Sequence, residues 1–397
     1  MKKKILRILN RFNVGGPVYN ATYLTKYLDN KSYETLLIGG KAEKHEASAK
    51  YILKNESINY KEIKYMKRSI SIINDFISFF IVLKIIYRYK PDIIHTHATK
   101  AGLIGRFASF FYYKKIKLIH TYHGNVFEGY FNNFKNKLIL IIERYLASKT
   151  TKIIAISRLQ KYDLINKYLI SKKDKIEVVP LGFDLNRFVN DQNEKRIKTR
   201  KKIKVKNEEV LITIIGRVVP IKDHRFFIDV FKYCMIKSDI SLKAVVIGDG
   251  PELNSLINYT KKKDIKTNYK IIKNDYDIFF SSWRKDIDCF LAASDVVALT
   301  SLNEGTPVSI IESMASGTAS ISTDVGGVSD IIENGKSGIV IKKRSVENFG
   351  DNLLRLISNK RLRNKLAING KKTSLAKFNY SVLIENMEKV YNKLYEK

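Results

Sequence analysis

Short apolar runs alternate with amphipathic stretches along the first half of the chain. KKILRIL, ETLLIGG, DIIHTH, KLIHTYHG, KIIAIS and KIEVVPLG read as strands, and Pro17 to Leu28 reads as the helix after the first of them. Near-continuous apolar strands separated by helical segments predict a parallel sheet covered on both faces, because each crossover lays a helix on the sheet. Asn186 to Asn207 interrupts the pattern: it is rich in charge and poor in bulky apolar residues, and reads as a boundary carrying one charged helix. A second series follows, with VLITIIGR, LKAVVIGDG, YKIIK, VVALTS, ASIST and GIVIK as strands and Arg225 to Lys237 and Pro307 to Ala315 as helices between them. The prediction is an α/β protein of two Rossmann-like domains, residues 1–185 and 186–375, whose parallel sheets face each other across a cleft. A last amphipathic helix from Asn379 lies in a 376–397 segment that crosses back to the first domain. Ligands of such sheets bind beyond the C-terminal ends of the strands, so the cleft is the expected site.

The longest greasy run, Ile70 to Tyr87, contains Asn74, Asp75 and Lys84. Its uninterrupted part is far below the ~20 residues a membrane-crossing helix needs, so it reads as a buried helix. The basic start MKKKILRILN is broken by Arg7 and reads as the first strand, not as a signal segment. At 397 residues with 45% hydrophobic composition, the chain can build two cores.

Charge changes the picture more. Lys and Arg number 72 against 39 Asp and Glu, a net +33, and residues 1–184 carry 34 basic and 14 acidic side chains. That balance favours anionic partners: nucleic acid, an anionic membrane face or phosphorylated substrates. No helix-turn-helix, RNA-recognition or zinc-finger pattern accompanies it, so no nucleic-acid partner is expected. Cys234 and Cys289 form neither a disulfide framework nor a metal-ligand spacing, which fits a reducing compartment.

Four places carry candidate chemistry. In NEGTPVSIIESMASG, Asn303 to Gly317, a loop through Glu304 and Gly305 leads into a helix opened by Pro307. Glu304 and Glu312 could grip two ends of an elongated ligand, the axial rise from Pro307 to Glu312 being about 7.5 Å, while the amides of Gly305, Thr306 and Val308 donate to oxygens between them. The alternative is a capped surface helix. GRVVPIK places Arg217 and Lys222 where the chain leaves a strand, a planar fork and a mobile point charge that suit a diphosphate; two solvated cations are the alternative. In NVGGPVYN, Gly15 and Gly16 permit close backbone approach at a helix start, without the GxGxxG dinucleotide fingerprint. The fourth place holds His95, His97, His120 and His123, which sit at two strand ends. His97 and His123 could converge, but no carboxylate or thiol at matching spacing supports a metal, and His123 reads as a hydrogen-bonding group for substrate, with His120 as packing. The short DxD matches Asp275-Tyr276-Asp277 and Asp286-Ile287-Asp288 are set aside as metal sites.

Taken in order, these segments resemble the retaining glycosyltransferases of family 4, which have the GT-B fold. The resemblance runs through nearly the whole chain: Gly15-Gly16, HTHATKAGLIGR (His95 to Arg106), His123-Gly124, VVPLGFDLNRF (Val178 to Phe188), GRVVPIK, GDGPEL (Gly248 to Leu253), and the E-x7-E segment with DVGG after it. It implies that Glu312 holds the ribose hydroxyls of a nucleotide sugar and that Glu304, with the backbone from Gly305 through Thr306 and Pro307 to Val308, holds the sugar. Arg217 and Lys222 carry the diphosphate, assisted by the helix start at Gly15-Gly16, and His123 orients the sugar. It implies no cofactor and no metal, and retention of configuration with the donor phosphate assisting acceptor deprotonation. The chain departs from the family at Ser282, where Gly is usual, and in the Lys-rich stretch between Asp249 and Trp283, which leaves the base pocket open.

The expected donor is a UDP-sugar, with a GDP-sugar second, and the expected acceptor is a polyprenyl-diphosphate-linked glycan held by the first domain. YKEIKYMKR (Tyr60 to Arg68) and RFASFFYYKKIK (Arg106 to Lys117) interleave rings and cations as a membrane interface does, though a core helix followed by a solvated turn gives the same pattern. The resulting expectation is a cytoplasmic enzyme, peripheral on an anionic inner membrane face, in cell-surface polysaccharide or lipopolysaccharide synthesis. A UDP-N-acetylglucosamine epimerase of the same fold matches the carboxylate pattern less well.

Overall fold

A computed structural model describes residues 2–43, 46, 48–67, 69, 71–124 and 133–396. The chain divides into two compact units, Met1–Phe183 with Phe378–Lys397, and Asp184–Lys377.

The first unit is built on a seven-stranded parallel sheet: β1 (Lys3–Arg11), β2 (Tyr33–Gly40), β3 (Tyr60–Ile63), β4 (Ile93–His97), β5 (Lys117–Tyr122), β6 (Lys152–Ala155) and β7 (Ile176–Val178). Their order in the sheet is β3-β2-β1-β4-β5-β6-β7. β1 lies between β2 and β4, which buries Ile5 through Leu9 from both faces. Arg7, which interrupts that apolar run, is itself fully buried and donates to the Tyr391 hydroxyl at 3.2 Å. Tyr391 comes from the last helix, Tyr380–Lys393, whose Leu383, Met387 and Val390 join Ile5, Leu24 and Ile93 in one core. Asn379 caps that helix through its side chain.

The second unit repeats the design with β8 (Val210–Ile215), β9 (Leu242–Ile247), β10 (Thr267–Tyr269), β11 (Ile278–Ser282), β12 (Val296–Leu299), β13 (Ala319–Thr323) and β14 (Ile339–Ile341), in the order β10-β11-β9-β8-β12-β13-β14. The charged stretch after residue 190 forms the helix Gln192–Lys202, held down by Arg196 and Arg200, which both pair with Asp295.

Three expectations need correction. YKIIK is not a strand: β10 ends at Tyr269 and Lys270 takes φ +59, turning the chain. The strand in that region is Ile278–Ser282, where three apolar residues are followed by two serines. YKEIKYMKR is not a core helix with a solvated turn: Tyr60–Ile63 pairs with β2 as an edge strand and Met66 is buried; Arg68 lies outside the described residues. Finally, the helix Ile72–Tyr89 is not buried. Only Ser78, Val82 and Ile86 are fully covered, because the sheet and the helix Thr99–Ser109 take one stripe and leave the rest of an all-round apolar helix uncovered.

Candidate active site

In a doubly wound sheet the strand order reverses at one point, where the loops after two neighbouring strands run in opposite directions and leave a crevice at their C-terminal ends. In the second unit this point lies between β8 and β12. The loop after β8 is GRVVPIK and the loop after β12 carries Glu304, so the topology brings these motifs together from positions 82 residues apart. Backbone bonds clamp the two loops: Leu302 N donates to Ile221 O at 2.8 Å, and the Thr300 hydroxyl reaches the carbonyls of Lys222 and Asp223. Lys222 Nζ then lies 2.5 Å from Glu304 Oε1, and the Ser301 hydroxyl donates to the same oxygen at 2.6 Å. Two donors on Oε1 fix the carboxylate and leave Oε2 for a ligand. Arg217, on the same loop, is exposed and has no ion-pair partner among the described residues.

Glycines set how closely these loops pack. Gly326 takes φ +51, and a Cβ there would come within 1.6 Å of the Glu304 carbonyl oxygen; its neighbour Gly327 donates to Gly305 O at 3.0 Å. DVGG therefore braces the turn that presents Glu304. Gly248 plays the same part against Gly216 after β8.

The helix behind Glu304 is Val308–Ala315, with Pro307 immediately before it and no side chain capping its first amides. The Thr306 hydroxyl at this start is buried without a partner. Glu312 is not part of the Lys222 cluster. Burial raises its pKa to about 7, against the pull of Arg187 at 3.8 Å and with the help of the Asp288 charge. A carboxyl poised near neutrality can accept hydroxyl hydrogen bonds once ionised.

The reversal point of the first unit lies between β1 and β4. Gly15 and Gly16 follow β1 and open the helix Gly16–Tyr27, which also lacks a side-chain cap. A Cβ at either glycine would meet only ordinary contacts at 3.6 to 3.8 Å, so packing within the unit does not demand glycine there. Beside this loop, alternation along β4 puts His95 and His97 on one face, where they stack at 4.2 Å. The Tyr391 hydroxyl accepts from Arg7 and so donates to His95 Nδ1 at 2.7 Å; His95 Nε2–H then donates to Thr121 at 2.7 Å. His97 Nδ1 meets His123 Nε2 at 2.9 Å. His97 is fully buried and its Nε2 has no partner, so a proton there would be stranded. His123 Nδ1 is likewise buried and unpartnered, so either ring can donate across the pair, His97 from Nδ1 or His123 from Nε2. Burial holds all three rings neutral, His123 being pushed down to about 3. His120 is buried, bonded to Thr96 and set edge-on to Tyr122.

The sequence reading missed Ser301 and gave His97 no role beyond a metal it did not favour. The HTH alternation could have paired His97 with His95; nothing local marks Ser301. Among the described residues no group of three or more His, Cys, Asp or Glu is placed to hold a metal ion. In the two DxD matches, Asp275 pairs with Lys243, Asp277 accepts from Lys266 N, Asp286 pairs with Arg284, and Asp288 with Lys195.

Residues 14–187 match the family model Glycosyltransferase Family 4, and residues 195–373 match Glycosyl transferases group 1. The chain is 31% identical over 316 residues to the UDP-Gal:alpha-D-GlcNAc-diphosphoundecaprenol alpha-1,3-galactosyltransferase of Escherichia coli, covering 76% of this chain and 77% of that one. The chain is a family 4 glycosyltransferase. This glycosyltransferase is also 28% identical to the capsular polysaccharide biosynthesis glycosyltransferase CapM of Staphylococcus aureus, over 82% of its own length and 83% of that protein's. Its fold is GT-B: the Anabaena Alr3699/HepE structure in complex with UDP superposes with a TM-score of 0.80 at 19% identity, over 99% of this chain and 100% of that one.

Proposed function

We propose that this glycosyltransferase transfers a sugar from a UDP-sugar to a polyprenyl-diphosphate-linked glycan, with retention of configuration, in bacterial cell-surface polysaccharide synthesis. The observation that carries the reading is the Lys222–Glu304–Ser301 cluster at the β8/β12 reversal, with Arg217 on the same loop. Arg217 and Lys222 meet the charge that develops on the departing diphosphate, and need no divalent ion to do so. Lys222 has donors to spare after its bond to Glu304. Glu304 Oε2, with the backbone from Gly305 to Val308, takes sugar hydroxyls, and Glu312 takes the ribose pair. Within the first unit, the unpartnered His123 Nδ1 can bond a hydroxyl, and the uncapped helix start at Gly15 and Gly16 can take anionic oxygens. In the transfer, the bond from the anomeric carbon to the diphosphate oxygen breaks while the acceptor oxygen bonds on the same face. The acceptor's proton passes to the departing phosphate.

Donor and acceptor classes are supported by the relatives: the E. coli enzyme is named for UDP-Gal and a diphosphoundecaprenol-linked acceptor, and the HepE structure holds UDP. On this reading the enzyme works at the cytoplasmic face of the membrane, where it meets such an acceptor. A hydrolysis screen over UDP-, GDP- and ADP-sugars, with and without a chelator, tests the reading. Release of UDP alone, undiminished by the chelator, is expected; turnover of none of the three would remove the assignment of donor.

A further inference from the structure

The uncovered side of the helix Ile72–Tyr89 is the start of a larger surface. Ile72, Ile73, Phe76 and Phe80 are exposed by 87, 74, 64 and 50% of their surface. On the neighbouring helix Thr99–Ser109 and the turn after it, Phe107 and Phe111 are exposed by 43 and 54%. These rings form one sheet of contacts: Phe79 touches Phe80, Phe107 and Phe111 at 5.2 to 5.9 Å, and Phe107 touches Phe110 and Phe111. Phe110 carries the surface on to Tyr145 of a third helix, Asn133–Lys149. Isolated exposed apolar residues are ordinary; a continuous aromatic face across three helices marks a partner.

The charges around it say which partner. Phe76, Phe80, Lys84 and Arg88 follow one another every four residues along one line of the helix, so the apolar stripe runs directly into exposed cations. Exposed Lys114 and Lys115 stand at the same end, beside Tyr113, and Tyr87 is tied to that turn by a bond to Phe111 O at 2.8 Å. Acids offer no counterweight. Asp75 is paired with Lys100 at 2.5 Å, Glu143 is buried against Arg106 at 2.7 Å, and the helix Thr99–Ser109 has none. Rings that enter a headgroup layer beside cations that meet lipid phosphate form an interfacial surface, and no described helix is long and apolar enough to cross a bilayer.

We infer that this three-helix aromatic face, rimmed by Lys84, Arg88, Lys114 and Lys115, docks the first unit in the plane of an anionic membrane surface. The inference deepens the lipid-linked reading above and rests on it for the membrane as the place of work. The test is cosedimentation with vesicles of mixed phosphatidylglycerol and phosphatidylcholine, and with phosphatidylcholine alone, at low and high salt. Wild-type protein is expected on the anionic vesicles, less so at high salt or without phosphatidylglycerol. The combined variant Phe76→Ser, Phe80→Ser, Phe107→Ser, Phe111→Ser is expected to lose binding by a factor of about a hundred, with its circular dichroism and donor hydrolysis unchanged. Unchanged vesicle binding by the variant would overturn the inference. So would failure of the wild type to bind at either salt, or self-association of the wild type that the variant abolishes. Failure of wild-type donor hydrolysis would instead strike the transfer reading and leave the vesicle result standing.

Discussion

The two sheets of this glycosyltransferase share strand number, direction and the position of the reversal, yet the reversal points carry opposite chemistry. Beside β1 and β4 stand three stacked imidazoles, all held neutral by burial, with His95 bonded at both ring nitrogens and His97 bonded to His123. Beside β8 and β12 stands an ion pair, Lys222 with Glu304, partly open to solvent and fixed by Ser301. A buried neutral ring can orient a hydroxyl without a cost of desolvating charge; an ammonium kept at the edge of solvent can meet a diphosphate. One topology thus carries two kinds of side-chain chemistry, set by the residues at the strand ends and in the loops after them.

The contrast breaks most sharply at Lys222. Lys222→Ala is expected to lower kcat by a factor of about a hundred or more, as loss of one donor to developing charge does, with the melting temperature little changed. Turnover at the wild-type level would deny it the role. A smaller effect is expected in the histidine stack. His97→Leu should lower kcat roughly tenfold, the worth of one hydrogen bond to a positioned group, while His97→Asn, which can still donate to His123, recovers most of it. Equal losses in both variants, tracking their thermal stability, would make His97 structural only. The third effect is a pH dependence. In its proposed role Glu312 would accept ribose hydroxyls best when ionised, so the donor KM should fall as pH rises through about 7, and Glu312→Gln should flatten that profile. The same raised pKa stabilises the fold below the ordinary carboxylate range and loses that contribution as pH rises through about 7. The histidines act in the other sense. His123 remains neutral down to about 3, so stability falls as pH drops from the ordinary histidine range toward that value.

Much of the architecture was legible because buried parallel strands are apolar on both faces: VLITIIGR and LKAVVIGDG announce β8 and β9 without context. β11 was not, since Ile278, Phe279 and Phe280 are too few to stand out before two serines. The helix Ile72–Tyr89 misled for a physical reason. Apolar residues all round normally mean burial, and here they mean a second partner beyond the sheet. At the site, residue types at strand ends pointed to Lys222, Glu304 and His123, whereas the contact of Lys222 with Glu304 depends on β8 neighbouring β12, which no local pattern reveals.

Calorimetric titration of UDP into the wild type and Lys222→Ala tests the central claim most directly. The account predicts that the wild type binds and that the variant binds at least about tenfold more weakly, the loss of one charge-assisted hydrogen bond to phosphate. Equal affinity in the two proteins would contradict it.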